Sequence, residues 1–256
     1  MIRVFSDPEA LSRAAAEEVC DVLQSAVSAR GKASLVLSGG VTPRRTHELL
    51  STGPGRKRVS WDAVEFFFGD ERPVGPDHPD SNFRMANETL LEPLGVAKAR
   101  VHRMRGERED KDLAAREYEE EIAKWFDLKV GEGSPVFDLI LLGLGPDGHT
   151  ASLFPGTRAL DERTRWVVAN PVPLLRATRL TMTVPVFNAA ERVLFLVAGS
   201  NKAETLQAVL EGPSDPAKYP AQKIGRKGGT CLWLADRAAA SLLTPPTEAF
   251  GLEGSK

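Results

Sequence analysis

The stretch LGLGPDGHTASLFP, residues 142–155, sets a histidine two positions after an aspartate inside a run of glycines. An imidazole titrates near roughly pH 6.5, so His149 can take a proton from water close to neutrality. The glycines let the backbone approach a small ligand and aim His149 at it. Asp147 can orient the ring or hold a hydroxyl of that ligand. A purely structural histidine beside a turn is the alternative these residues leave open. Ser152 lies three positions further on, but no G-x-S-x-G elbow surrounds it, so it reads as a helix or packing residue and not as a nucleophile. Formally the run also contains G-x-G-x-x-G. A dinucleotide fingerprint would open a long helix and be followed about 20 residues on by an acidic group. Here Pro155-Gly156 intervenes within about two helical turns, and Asp161 comes too soon, so a dinucleotide site is rejected.

Three further stretches suit anions. Ser38-Gly39-Gly40-Val41-Thr42-Pro43 offers backbone N–H groups, two hydroxyls and a helix start, a combination that holds phosphate through aligned dipoles. It is not the longer Walker loop, because no Lys-Ser or Lys-Thr pair follows at the required spacing. A tight turn capped by Thr42 would use the same residues. Lys202, after Gly199 at the start of another helix, is placed to give a point charge to the same phosphate, or to be a plain surface lysine. Gly69-Asp70-Glu71-Arg72 puts two carboxylates and a guanidinium directly after an apolar run, which implies either a structural salt bridge or a bound ligand. Asp80-Ser81-Asn82 then opens a helix, with Ser81 or Asp80 as its cap.

These groups need a frame that gathers them. Four apolar runs, Ala33–Leu37, Val64–Phe68, 137–142 and 193–198, each end in glycine, hydroxyl or charged residues. Runs without polar alternation, such as VEFFF and FDLILL, suit strands covered on both faces. Their alternation with helical stretches predicts an α/β fold: a doubly wound, Rossmann-like, mainly parallel sheet with helices on both faces. In such sheets ligands bind beyond the carboxyl ends of the strands, so the polar residues should converge on one crevice. Helical spacing from Pro8 to Arg30 predicts a helix that opens the chain. The β-branched alternation of residues 178–184 predicts an extra, antiparallel strand. Segments 51–58, 131–135 and 212–219 read as loops, 73–79 as a surface loop, and 245–256 as a loosely ordered tail of a single domain spanning 1–256.

Composition narrows the partners. The 33 Lys and Arg nearly balance the 35 Asp and Glu, so no global field marks the chain for nucleic acid or an anionic membrane. Cys20 and Cys231 have neither a redox nor a metal spacing and read as small buried hydrophobes in a reducing compartment. His47, His78 and His102 are scattered, so no metal site is expected. No apolar stretch has signal-peptide character or approaches the roughly 18 residues needed to cross a bilayer. A cytoplasmic protein is expected, monomeric or a small homo-oligomer.

Six blocks together resemble the 6-phosphogluconolactonase family, which is related to the glucosamine-6-phosphate deaminases. They are LSGGVTP (37–43), FFGDERPVGPDHPDSNFRMA (67–86), LGLGPDGHTASLFPG (142–156), RLTMT (179–183), LFLVAGSNKAETL (194–206) and YPAQKI (219–224). The resemblance implies a sugar-phosphate isomerase type of fold and a phosphate held by Ser38, Gly39, Gly40, Thr42 and Lys202. It places Arg72 and Arg179 near the substrate and makes His149 the base that activates water; Asp70, beside Arg72, is a further candidate to bind substrate. Deaminases of similar sequence run from this histidine into Asn-Glu-Pro, whose glutamate serves ring opening and proton transfer; Leu153-Phe154-Pro155 stands here, and a phenyl ring moves no proton. The reaction so implied is hydrolysis of 6-phospho-D-glucono-1,5-lactone, a small-molecule substrate, without metal or cofactor, Arg72 stabilising the oxyanion. The alternatives are a glucosamine-6-phosphate deaminase or isomerase, and a non-catalytic sugar-phosphate-binding module of the kind found in transcription regulators. The latter would need a DNA-binding unit, and only one helix is expected before residue 33.

Overall fold

The computed structural model describes residues 1–225 and 230–244; the tail 245–256, expected to be loosely ordered, lies outside them. The chain opens not on a helix but on a short strand, β1 (Ile2–Phe5), which precedes α1 (Pro8–Arg30). Four half-exposed or exposed residues leave no apolar run to mark β1 in the sequence. Asp7 caps α1 by accepting from the Ala10 N–H, and Gly31 ends it in the left-handed region at φ +71°. There follow β2 (Ala33–Leu37), α2 (Val41–Ser51), α3 (Gly53–Arg58), β3 (Val64–Phe68), β4 (Asp70–Glu71), α4 (Asn82–Ala86), α5 (Glu92–Leu94) and α6 (Lys111–Phe126). The second half adds β5 (Leu139–Gly143), β6 (Val167–Val172), β7 (Ala177–Met182), α7 (Val184–Ala189), β8 (Arg192–Val197), α8 (Ala203–Leu210) and β9 (Thr230–Asp236). Segment 51–58, expected as a loop, holds α3, which Pro54 helps to start.

Six strands form a parallel sheet in the order β1-β9-β8-β5-β2-β3, and β4, β7 and β6 form a small antiparallel one. The fold is thus the mainly parallel α/β class that the apolar runs predict, with β7 as the antiparallel strand expected near residues 178–184. Its partners β4 and β6 and the sheet strand β9 were not anticipated. Every residue of β2 is buried. Because neighbouring residues on a strand face opposite sides, both faces of the sheet are covered there. The buried side chains form one continuous cluster that runs from α1 through β2, β3, β5, β8 and β9. Cys20 is buried and Cys231 half-buried, and both thiols are free. Among the described residues no helix is long and apolar enough to cross a membrane.

The chain leaves β2 for β3 on one side, then returns to β5 on the other side of β2. This reversal of strand order lies where the loops after β2 and β5 diverge, the place at which open α/β sheets bind ligands. The end of β3 is held from below: Tyr118 of α6, buried, accepts from the Phe68 N–H at 2.8 Å, immediately before Gly69-Asp70-Glu71-Arg72.

A second tie between β3 and α6 is titratable. His102 Nε2 lies 2.9 Å from Glu65 Oε2, its Nδ1 lies 3.7 Å from Glu121 Oε2, and its ring stacks on Phe67. Burial alone would lower this imidazole, but the Glu121 and Glu65 carboxylates outweigh it and hold the group above its ordinary value. A raised folded value means the contribution is complete below the unfolded pKa, near roughly 6.5, and is lost as pH climbs through the folded value. Thermal unfolding of wild type and His102→Gln should therefore show wild type clearly more stable at about pH 6 and the gap narrowing towards about pH 8.5; a gap that widens with pH would refute this.

Candidate active site

The loop after β5 is built to present one imidazole. The Gly145 N–H donates to the His149 carbonyl at 2.8 Å and the Gly148 N–H to the Gly145 carbonyl at 3.0 Å, closing a tight turn. Outside contacts fix the turn: Thr205 Oγ1 donates to the Pro146 carbonyl at 2.6 Å, Thr150 Oγ1 to the Gly143 carbonyl at 2.8 Å, and the Ala221 N–H to the Gly148 carbonyl at 3.0 Å. Two of its glycines are required. Gly148 has φ +82°, and a Cβ there would come within 2.7 Å of the Tyr219 ring. A Cβ on Gly145 would stand 2.1 Å from His149 Nδ1.

Into this space the imidazole folds back on its own loop. His149 Nδ1 lies 2.5 Å from Asp147 Oδ1, and the same oxygen accepts from the His149 N–H at 3.2 Å. Burial raises the Asp147 carboxyl, but its bonds to His149 prevail and hold it below the usual carboxylate range. An ionised acceptor at Nδ1 selects the tautomer with its proton there and leaves the Nε2 lone pair free. Phe154 stacks on the ring with centroids 4.2 Å apart, a contact that the sequence did not announce. The side chain of His149 remains 28% exposed, so the ring is held yet reachable.

The loop after β2 lies across the strand-order reversal. Gly40, with φ +112°, is the N-cap of α2, and no side chain caps that helix among the described residues. The turn capped by Thr42 is therefore not what forms; the first N–H groups of α2 are left for a ligand or water. Ser38 Oγ is buried without a partner among the described residues. Gly39 packs so tightly on α4 that a Cβ would sit 1.8 Å from Asn82 Oδ1. Lys202 follows β8 in a turn whose Gly199 N–H donates to both oxygens of Asp236 at 3.1 Å, so β9, missed in the sequence, anchors this lysine's loop. Burial lowers the Lys202 ammonium, while the Asp147 carboxylate acts the other way, which puts the lysine in the field of the Asp147–His149 pair.

The charges after β3 do not form the salt bridge that the sequence left open. Glu71 turns inward and accepts from the N–H groups of Arg72, Asn82 and Phe83 at 2.8, 2.8 and 2.9 Å, and from Ser81 Oγ at 3.1 Å. Burial raises its carboxyl. Ser81, not Asp80, is the N-cap of α4. Asp70, expected to bind substrate, is 6% exposed with both oxygens taken: Oδ1 accepts from Asn82 Nδ2 at 3.1 Å and Oδ2 from Ser152 Oγ at 2.6 Å. Its carboxylate is thus held between two buried side chains. Ser152 is a turn residue and lies in no helix. Arg72 donates from Nη1 to the Asp80 carbonyl, and its Nε is buried without a partner among the described residues, as is Nε of Arg179 on β7. Burial and the neighbouring Arg72 charge push the Arg179 guanidinium below its ordinary range. Two neighbouring like charges with unused donors are an arrangement that an anion would relieve.

These loops match known proteins along nearly their whole length. Residues 6–233 fit the family model described as glucosamine-6-phosphate isomerases/6-phosphogluconolactonase. The chain belongs to that family. A 6-phosphogluconolactonase of Synechocystis sp. is 41% identical over 87% of this chain and 90% of its own. The solved 6-phosphogluconolactonase of Trypanosoma brucei superposes with a TM-score of 0.84 at 30% identity, covering 95% of this chain and 98% of that one. A monomeric glucosamine-6-phosphate deaminase is similar at a TM-score of 0.77 and 25% identity, over 94% of this chain and 99% of its own. The family fold thus carries both activities, and the side chains around His149 must distinguish them.

The crowding at Gly145 yields a direct prediction. Gly145→Ala should drive the imidazole off Asp147 and lower turnover of a phosphorylated sugar lactone by about 10²-fold, with thermal unfolding little changed. Steady-state kinetics beside a melting curve checks this; unchanged turnover would mean that the ring's present position does not matter.

Proposed function

We propose that this chain is a 6-phosphogluconolactonase, hydrolysing 6-phospho-D-glucono-1,5-lactone to 6-phospho-D-gluconate, a step of the oxidative pentose phosphate pathway. The observation that carries the reading is the Asp147–His149 pair with Phe154 stacked on its imidazole. It supplies one base and, where a deaminase resembling this sequence would need a carboxylate, an aromatic ring. Hydrolysis of an activated ester needs only that one base; aldose–ketose isomerisation with ammonia release needs more.

The substrate phosphate binds at Ser38, Gly39, Gly40 and Thr42, where α2 opens without a cap, with Lys202 as a point charge. Nε2 of His149 takes a proton from water, and the hydroxide so formed attacks the lactone carbonyl carbon. Asp147 stabilises the imidazolium that results. Arg72, with its unpartnered Nε and Arg179 beside it, faces the charge developing on the carbonyl oxygen. As the tetrahedral intermediate collapses, the imidazolium returns its proton to the departing ring oxygen, so base becomes acid. Asp70 serves by holding Asn82 and Ser152 rather than by touching substrate. The chain acts in the cytoplasm as one domain, monomeric or as a small homo-oligomer.

Hydrolysis of freshly made lactone, followed by proton release and corrected for spontaneous opening, tests this. His149→Ala should lose about 10²–10⁴-fold in kcat, Asp147→Asn should fall between it and wild type, and glucosamine 6-phosphate should release no ammonia. Undiminished opening in His149→Ala would remove the base from the mechanism. Ammonia from wild type would restore the deaminase reading, and binding without turnover the sensing one.

A further inference from the structure

We propose that Ser152, through its hydrogen bond to Asp70, is a positioning residue that sets where the His149 imidazole stands relative to the phosphate loop; the inference rests on the reading of His149 as the base. Along the chain Ser152 lies between His149 and Phe154, whose rings stack on each other, so fixing Ser152 fixes the turn from which both project. That turn is not relaxed. Ala151 has φ +48°, a left-handed conformation that a residue with a Cβ adopts at a cost and keeps only where its surroundings over-determine it. Ser152 supplies that determination. Its Oγ donates to Asp70 Oδ2 at 2.6 Å, its N–H to Thr181 Oγ1 at 3.4 Å, and its carbonyl accepts from Asn170 Nδ2 at 2.9 Å. All three polar groups of one residue are thus engaged by β4, β7 and β6.

The connection continues across the crevice. Asp70 Oδ1 accepts from Asn82 Nδ2, and Asn82 fills the space that a side chain on Gly39 would occupy. Ser152, Asp70 and Asn82 are 1%, 6% and 1% exposed, so water scarcely competes for these bonds. A hydroxyl donating to a carboxylate in such surroundings is short and strong, and its loss leaves a buried oxygen seeking another donor. The path from Ser152 through Asp70 and Asn82 to Gly39 therefore fixes the distance between the base loop and the phosphate loop. None of these side chains is assigned a contact with the reacting atoms. Ser152 acts at the end that holds the base, so its removal should affect the chemical step and leave phosphate anchoring alone.

The test compares wild type, Ser152→Ala, Asp70→Asn, the double variant and His149→Ala on the phosphorylated lactone, each with a thermal unfolding curve. Ser152→Ala should lower kcat about 10- to 100-fold with KM changed less than about twofold. Its kcat–pH profile should keep its midpoint, because Asp147 still holds Nδ1. Asp70→Asn, which keeps the side-chain size, should also lower kcat: a carboxylate accepts from Ser152 and Asn82 together, whereas an amide whose oxygen stays on Asn82 can only donate its NH₂ to Ser152 Oγ, and the hydroxyl proton loses its acceptor. The double variant should be no worse than the worse single one, as for two partners in one contact. Should Ser152→Ala not fold, Asp70→Asn decides alone. If His149→Ala is inactive while the folded Ser152→Ala, or failing it Asp70→Asn, keeps kcat within about twofold of wild type, or changes only KM, the inference fails and the base stands. If His149→Ala is fully active, the reading of the base fails instead.

Discussion

The bond between His149 Nδ1 and Asp147 decides which ring nitrogen is available, and the chemistry of the crevice depends on that choice. Without it the ring could turn about its side-chain bonds and present either nitrogen, and the proton-accepting lone pair would have no fixed direction. The short loop can make this bond because Gly145 has no side chain to obstruct the ring and Gly148 can take φ +82°. Phe154 covers one face of the ring. The loop is in turn held by Thr205 of α8 and by the Ala221 N–H, so an imidazole on a loop acquires the rigidity of the sheet and helices behind it.

Around that pair the structure concentrates buried polarity. Glu71 and Asp70 lie inward, and their oxygens accept from donors on α4 and on the turn after His149. Buried carboxylates are costly unless every oxygen is satisfied, and here the satisfaction comes from donors on α4 and on the turn that follows His149. The same arrangement leaves Ser38 Oγ and the Nε atoms of Arg72 and Arg179 buried without partners among the described residues. Unpaired polar atoms of this kind, after β2, after β4 and on β7, are what an anionic, oxygen-rich substrate would complete. Burial lowers the ammonium of Lys202 and the guanidinium of Arg179, and the neighbouring Arg72 charge lowers the latter further.

Much of this could be read from residue order. Mainly apolar runs, each interrupted by one polar residue (Ser34 and Glu65), marked β2 and β3 with their bounds, and the polar residues at their ends marked the crevice, because a strand covered on both faces admits no regular polar alternation. Pro8–Arg30 was legible from helical spacing and a terminal glycine. The glycine turn with His149 and Asp147, the glycine loop after β2 and the replacement of a deaminase-like glutamate by Phe154 are likewise local in sequence, which is why the hydrolytic reading was within reach.

What the sequence could not decide was set by contacts between distant segments. β1 and β6 alternate too weakly to declare themselves, and β4 is two residues long; each is a strand because a partner supplies its hydrogen bonds. The direction of the Asp70 side chain depended on Ser152, 82 positions away, and on Asn82, neither of which the local motif identifies. Whether Glu71 paired with Arg72 or capped α4 turned on where that helix packs. Residue types and spacing determined the chemistry on offer; the pairing of buried donors and acceptors across the fold determined which groups face the crevice and which hold them there, because a buried polar atom takes whatever partner the tertiary structure brings within reach.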